Sequence, residues 1–331
     1  MSINVAIHIN EYEIRKFGKN IKNINRKIPK LNIIPKEGYP GNAEKWSLYW
    51  LLLVSCCQNT SSIYGTISGR CVRGTDYLFL SSQLYFMKHS DELNCLHLSG
   101  ITIEDFKEIF RDDLGNCNLD KVDERFCQFI ETANYLLKYF GGSMRNLICN
   151  AEFRIFGNNG LFNILSRINS FSDSEQKKSR VLAIYLQQAN LFDFLDFSLV
   201  KIPIDYHVER VMFRLNLLEI KDESLLDKLQ SGQEIDPEID NLIRNKMAIV
   251  GDKLREYATL FEINEVLWHL GRGYCFKEGG ICLKQYKEGA SPISEFEPSY
   301  KITCPVGSLC VSFENPIKQM IKEANVKTTY Y

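Results

Sequence analysis

Long segments with apolar residues at helical spacing, and strand signals confined to one short stretch, predict an all-α protein. The helical segments open on capping residues and close on glycines. No internal repeat, low-complexity tract or long Pro/Gly linker interrupts them. With 331 residues and 45% hydrophobic content, the chain has ample material for one large core or two closely packed ones.

The first thirty residues carry Arg15, Lys16, Lys19, Lys22, Arg26, Lys27 and Lys30 against only Glu11 and Glu13. Such a run is a solvated arm or a phosphate contact, and residues 1–40 are assigned to a basic N-terminal segment. "AEKWSLYWLLLVSCCQ" is nearly continuous in apolar residues and suits a buried helix. Short strand signals fall near "YGTISGRCVRGTDYLFL". "TIEDFKEIFRDDL" opens with a Thr cap and an acidic first turn. "LDKVDERFCQFIETANYLLKYFGGS" keeps helical spacing until Gly141-Gly142 stops it. "SDSEQKKSRVLAIYLQQA" begins with Ser172 or Asp173 as cap, and "IPIDYHVERVMFRL" opens an amphipathic helix at Asp205. "PEIDNLIRNKMAIVGDKLREYATLF" and "EINEVLWHLGRGYC" add two more. Residues 41–270 therefore form the helical core, of two packed helical subdomains, and residues 271–331 a cysteine-bearing appendage.

The formal net charge of −1 leaves no global footprint for nucleic acid, so phosphate contacts must come from local patches. The longest apolar run, Trp46 to Cys57, is too short to span a membrane, and residues 2–14 lack the apolar core of a signal peptide. A soluble, cytoplasmic protein without a membrane partner is expected, and no obligate protein partner is evident. Eleven cysteines in such a chain argue against a disulfide framework. Seven are scattered, but Cys275, Cys282, Cys304 and Cys310 arrive within 36 positions after a long cysteine-free stretch. Their spacing is C-x6-C, a gap of 21, then C-x5-C. Structural zinc prefers tighter pairs, so the wide pairs favour an iron–sulfur cluster, with zinc or unrelated buried thiols as the other readings.

"EVLWHLGRGYCFKEGGIC…CPVGSLC" resembles the cluster loop that ends the endonuclease III group of helix-hairpin-helix DNA glycosylases, matching both cysteine spacings. The resemblance implies a 4Fe-4S cluster on Cys275, Cys282, Cys304 and Cys310. The long excursion between the pairs and the lack of an L-P-G-V-G-x-K-T hairpin depart from that group. The same enzymes carry a V-D-T-H-[VI]-x-R-V segment with an active-site aspartate, to which "IDYHVERVMFRL" is similar. Asp205 falls on the catalytic position, and His207 and Arg210 on positions that orient the helix. A carboxylate there stabilises the sugar cation of N-glycosidic cleavage or activates the attacking water.

A second resemblance runs, with gaps, from about Trp46 to Leu260. "VDERF…KYFGGSMRN", Trp46-Ser47-Leu48, "KKSRVLA" and Asp205-Tyr206 look like elements of the queuosine salvage family, which are queuosine nucleotide N-glycosylases. This likeness implies Trp46, Arg111, Asp113 and Tyr206 as base-pocket residues and Lys178 as a second catalytic candidate beside Asp205. Asp112 stands where that family has serine. Together the two resemblances imply a glycosylase-like core with a C-terminal cluster loop. The expected function is a monofunctional DNA glycosylase that flips out and excises a modified, bulky or phage-type hypermodified base. Lys284, Lys287 and Arg272 would contact the DNA backbone, and an antiviral role accords with such a substrate. The alternatives are a salvage-type N-glycosidase acting on a small modified nucleotide, and a non-catalytic cluster-bearing nucleic-acid-binding module.

Overall fold

A computed structural model of the chain describes residues 5–28, 43–60, 62–173, 175–283 and 303–326. Lys30, Lys284 and Lys287 lie outside the described residues. The chain divides into two compact units that are not consecutive: the first is Met1–Lys30 with Lys201–Thr329, the second Leu31–Val200. Among the described residues the fold is mostly helical, with only short strands, and no helix is long and apolar enough to cross a membrane.

The first unit begins with β1 (Ile7–Ile9) and α1 (Glu11–Lys27). The run of cations expected as an arm is thus part of an amphipathic helix. The Asn10 side chain caps it by accepting from Glu13 N at 3.2 Å, and Ile14, Phe17, Ile21 and Ile24 fill one face. Gly18 lets that face approach closely, since a Cβ there would stand 2.4 Å from the Tyr257 ring.

In the second unit α2 (Ala43–Cys56) buries every residue from Trp46 to Cys56. The hairpin β2 (Tyr64–Ile67) and β3 (Arg70–Arg73) turns at Ser68 and Gly69, both at positive φ as a two-residue turn requires. "TDYLFL", grouped with the strand signals, instead begins α3 (Thr75–Lys88). Then follow α4 (Cys95–Leu98), α5 (Ile103–Ile109), α6 (Val122–Phe140), α7 (Met144–Asn150), α8 (Leu161–Leu165) and α9 (Lys177–Gln188). Thr102 and Asp105 form a capping box at α5, and Gly141, at φ 62°, ends α6. α2 packs against α6 and α9, where Trp50 stacks on Tyr185 at 4.3 Å.

The chain returns to the first unit with α10 (Tyr206–Arg214), β4 (Leu218–Ile220), α11 (Glu223–Ser231), α12 (Pro237–Leu254) and α13 (Leu260–Gly273). β4 pairs antiparallel with β1, joining Ile7 to Ile220 and Ile9 to Leu218. α12 stops earlier than periodicity suggests, because Thr259 and Glu262 make a capping box that starts α13 afresh. The two-residue strands β5 (Cys275–Phe276) and β6 (Gly279–Gly280) and the turn α14 (Pro316–Gln319) complete the unit.

α10 and α13 pack together through Gly271. A Cβ on Gly271 would lie 2.5 Å from the His207 carbonyl oxygen and 2.7 Å from the His207 Cβ. Alanine normally favours a helix by about 1 kcal/mol over glycine, but here it forces backbone apart. Gly271→Ala is expected to destabilise the protein by about 1–3 kcal/mol, the range for overpacking a closed core. Urea denaturation measures this, and an equal or greater stability in the variant would show that the two helices separate without cost.

Candidate active site

Asp205 is the N-cap of α10, with φ −109° and ψ 178°. Its Oδ1 accepts from the Val208 amide at 2.9 Å, while Oδ2 makes no hydrogen bond among the described residues. One oxygen is committed to the helix and the other remains available. The backbone before it is held by Arg244, whose Nη1 donates to the Ile204 carbonyl at 2.8 Å. Arg244 also binds Asp240 through Nε at 2.8 and 3.0 Å and Glu209 through Nη2 at 3.0 Å, and all three side chains are buried. Glu209 accepts a further bond from the Ala324 amide at 3.0 Å. Burial pushes the Glu209 carboxyl up, opposed by the Arg244 charge and reinforced by Asp240. Sequence reading missed this clamp. Asp240 and Arg244 show the i, i+4 spacing of a helical pair, but their partners Ile204 and Glu209 are distant in sequence.

Tyr206 stacks obliquely on His207 at 4.1 Å. His207 accepts from Arg210 Nη2 at its Nδ1, 3.0 Å away. Burial, then the Arg210 and Arg272 cations, hold its pKa well below the usual histidine value. His207 is therefore neutral at physiological pH and serves as an acceptor that orients α10. Arg210 further reaches the Cys275 carbonyl at 2.8 Å, the Gly271 carbonyl at 3.0 Å and Glu323 at 2.6 Å. One turn on, Arg214 donates to the carbonyls of Ile321, Phe276 and Lys277 at 3.1, 2.6 and 3.0 Å, and to Cys275 Sγ at 3.2 Å. The helix that starts at Asp205 thus carries the cysteine segment on its last two turns.

Among the described residues no three His, Cys, Asp or Glu side chains are gathered as a site for a metal ion. The four late cysteines nonetheless lie within electrostatic reach of one another. Burial pushes the Cys304 and Cys310 thiols up to about 12, and the charges of Cys275 and Cys282 push both further in the same direction. Their sulfurs are met by donors: Cys304 by the backbone of Gly307 and Val306, Cys310 by that of Ser312, and Cys282 by Glu314 backbone and by Gln319 Nε2 at 2.9 Å. Cys310 Sγ in turn lies 3.4 Å from the Arg214 carbonyl. Hydrogen-bond donors aimed at several adjacent sulfurs are what thiolates need when they share a cluster. A metal would have to displace the thiol protons to bind here.

The other expected residues belong to the second unit. Trp46 is buried, edge-on to Tyr49 at 5.2 Å. Lys178 is 1% exposed, and its Nζ donates to the Ser55 carbonyl at 2.6 Å and to Gln58 Oε1 at 3.3 Å. Trp46 thus stands near the start of α2, while Lys178 reaches its end. Arg111 is exposed and paired with Glu108 at 2.6 Å, while exposed Asp113 accepts from the Gly69 amide at 2.7 Å. Asp112, in the serine position of the salvage family, is buried and holds its own loop through the amides of Leu114 and Asn116. Asp173, one of the two cap candidates of the sequence, is a buried carboxylate. It accepts from the Lys177 amide at 2.7 Å, but its buried Oδ1 has no partner among the described residues. Burial raises its pKa.

Burial is also the main cause that lowers Lys178 from 10.5 to about 8, with Lys177 adding to it. The unfolded chain then holds this proton more tightly than the folded one, so between about pH 8 and 10.5 its contribution to stability rises with pH. The stability of the wild type relative to Lys178→Met should increase across that window in urea unfolding at fixed ionic strength. A flat difference would mean that the amine keeps its solution pKa. No protein-family model and no curated protein matches the chain.

Proposed function

We propose that this protein is an N-glycosidase that removes a modified base from DNA, with Asp205 as its essential carboxylate. The observation that carries the reading is the way Asp205 is held. Val208 fixes one oxygen, Arg244 fixes the carbonyl that precedes it, and the second oxygen is left without a partner among the described residues. That arrangement suits a group that faces developing positive charge without moving. In the reaction the C1′–N bond breaks, its electron pair leaves with the base, and a water oxygen adds to C1′ as that water gives up a proton. Asp205 stabilises the sugar cation or accepts the proton.

Tyr206, adjacent to Asp205, is the base-pocket residue that the first unit supplies to this reading. The Lys178 amine is engaged by Ser55 and Gln58, and a nucleophilic role would need it free. Cys275, Cys282, Cys304 and Cys310 would hold a 4Fe-4S cluster, which when bound would fasten the loop under α10 and supply no step of the hydrolysis.

Asn caps helices as well as Asp does, so Asp205→Asn should fold normally yet lose base release by at least ~10²-fold, the scale of a positioned acid–base group. Mass spectrometry of bases freed from modified duplex, modified single strand and queuosine monophosphate reads this out. Near-normal turnover in the variant would reduce Asp205 to a cap, and preferred cleavage of the monophosphate would favour the salvage reading. Release from none of them would favour a binding module.

Protein purified without oxygen should contain iron and sulfide and absorb broadly in the visible. Cys282→Ser should lower the iron content. Stoichiometric zinc with no iron would end the cluster assignment.

A further inference from the structure

α1 turns a ladder of cations outward. Ile14, Phe17, Ile21 and Ile24 face inward, each at 4% exposure or less, while Arg15, Lys19, Lys22 and Arg26 are all exposed. Their spacing of four, three and four residues confines them to an arc of about 60° and strings them along about 16 Å of helix axis. The carboxylates of the helix do not neutralise them. Glu13 is paired with Lys16 at 3.2 Å and Glu11 with Lys253 at 2.8 Å. None of the four cations has an ion pair or side-chain hydrogen bond among the described residues. Tyr12, 73% exposed, borders the ladder at its N-terminal end. In a chain with a net charge of −1, four unopposed positive charges on one helix face form a local field.

We propose that this face of α1 binds the sugar–phosphate backbone of DNA, with the four cations set against successive phosphates of one strand. A linear row of unpaired Arg and Lys, one per turn, is complementary to a linear row of phosphates. An anionic membrane is the other surface that attracts basic helices, but such helices insert their apolar face. The apolar face of α1 is already buried within its own unit. The proposal rests on the reading of this protein as one that acts on a polymer. Its measurement is binding, so a protein that holds DNA through α1 and frees no base would leave it standing while the glycosylase reading fell.

The test compares Asp205→Asn protein with the same protein carrying Arg15→Gln, Lys19→Gln, Lys22→Gln and Arg26→Gln, binding an unmodified duplex across a salt series. Gln preserves helix propensity. Each lost phosphate contact lowers the slope of log K against log salt by about 0.9, so the slope should become shallower by about 3–4. A control with Lys138→Gln, Arg145→Gln, Arg154→Gln and Lys221→Gln removes the same charge from other exposed positions and should keep the original slope. Circular dichroism checks folding. If the fourfold variant unfolds, Lys19→Gln with Arg26→Gln should give about half the change. An unchanged slope in the α1 variant overturns the proposal, as does an equal loss in the control. So does α1-dependent binding to phosphatidylserine vesicles with DNA binding untouched.

Discussion

Burying a guanidinium strips it of water, and the loss is tolerable only when its donors are met inside the protein. The first unit buries Arg210, Arg214 and Arg244, each at 3% exposure or less. Most of their partners are backbone carbonyls drawn from separated stretches: Ile204, Gly271, Cys275, Phe276, Lys277 and Ile321. Two of the three arginines stand on α10, and the third grips Ile204, two residues before it, and Glu209 within it. α10 is thus the member against which the carboxylate at its head and the cysteines at its foot are both registered. Removing Arg210 or Arg214 would strand several carbonyls at once, which is why this polar framework couples parts of the unit that hydrophobic packing alone would leave to slide.

The second unit solves a related problem by the same chemistry. α2 is buried along its length and has no basic residue in its last turn, so its terminal carbonyls have no solvent to turn to. Two cations from elsewhere in the unit supply the donors: Lys178 reaches Ser55, and Arg125, fully buried, reaches Cys56 at 2.8 Å. Arg125 is anchored in turn by Asp120 at 2.5 Å. The positive charges also oppose the negative end of the helix dipole. Lys178 and the arginine of "VDERF" therefore meet at one structural element.

Much of the local structure was legible from residue pattern. The Thr102 cap, the glycine stop after Phe140 and the cap at Asp205 are decided within a few residues of themselves, so sequence suffices to find them. α1 was obscured because its cations dominate the composition while its apolar face, at every third or fourth position, is thin. The start of α9 was misleading for a different reason. Asp173 does bind the helix's first amide, but from four residues away, with Gln176 in a left-handed conformation between them. The Arg244 clamp and the donors around the thiols unite residues far apart in sequence, and no single-chain periodicity encodes such meetings. Asp205 and the four cysteines were conspicuous as motifs; what holds them was not.

The pairing of β1 with β4 has a consequence for biosynthesis. Ile7–Ile9 leaves the ribosome some two hundred residues ahead of its partner Leu218–Ile220. Throughout that interval the inner face of α1 has nothing of its own unit to cover it, while the stretch that forms the second unit is being made and is complete at Val200. Contacts of such long sequence separation form late and slowly. The nascent chain must therefore carry the apolar face of this helix uncovered until Leu218–Ile220 and the helices that follow have emerged.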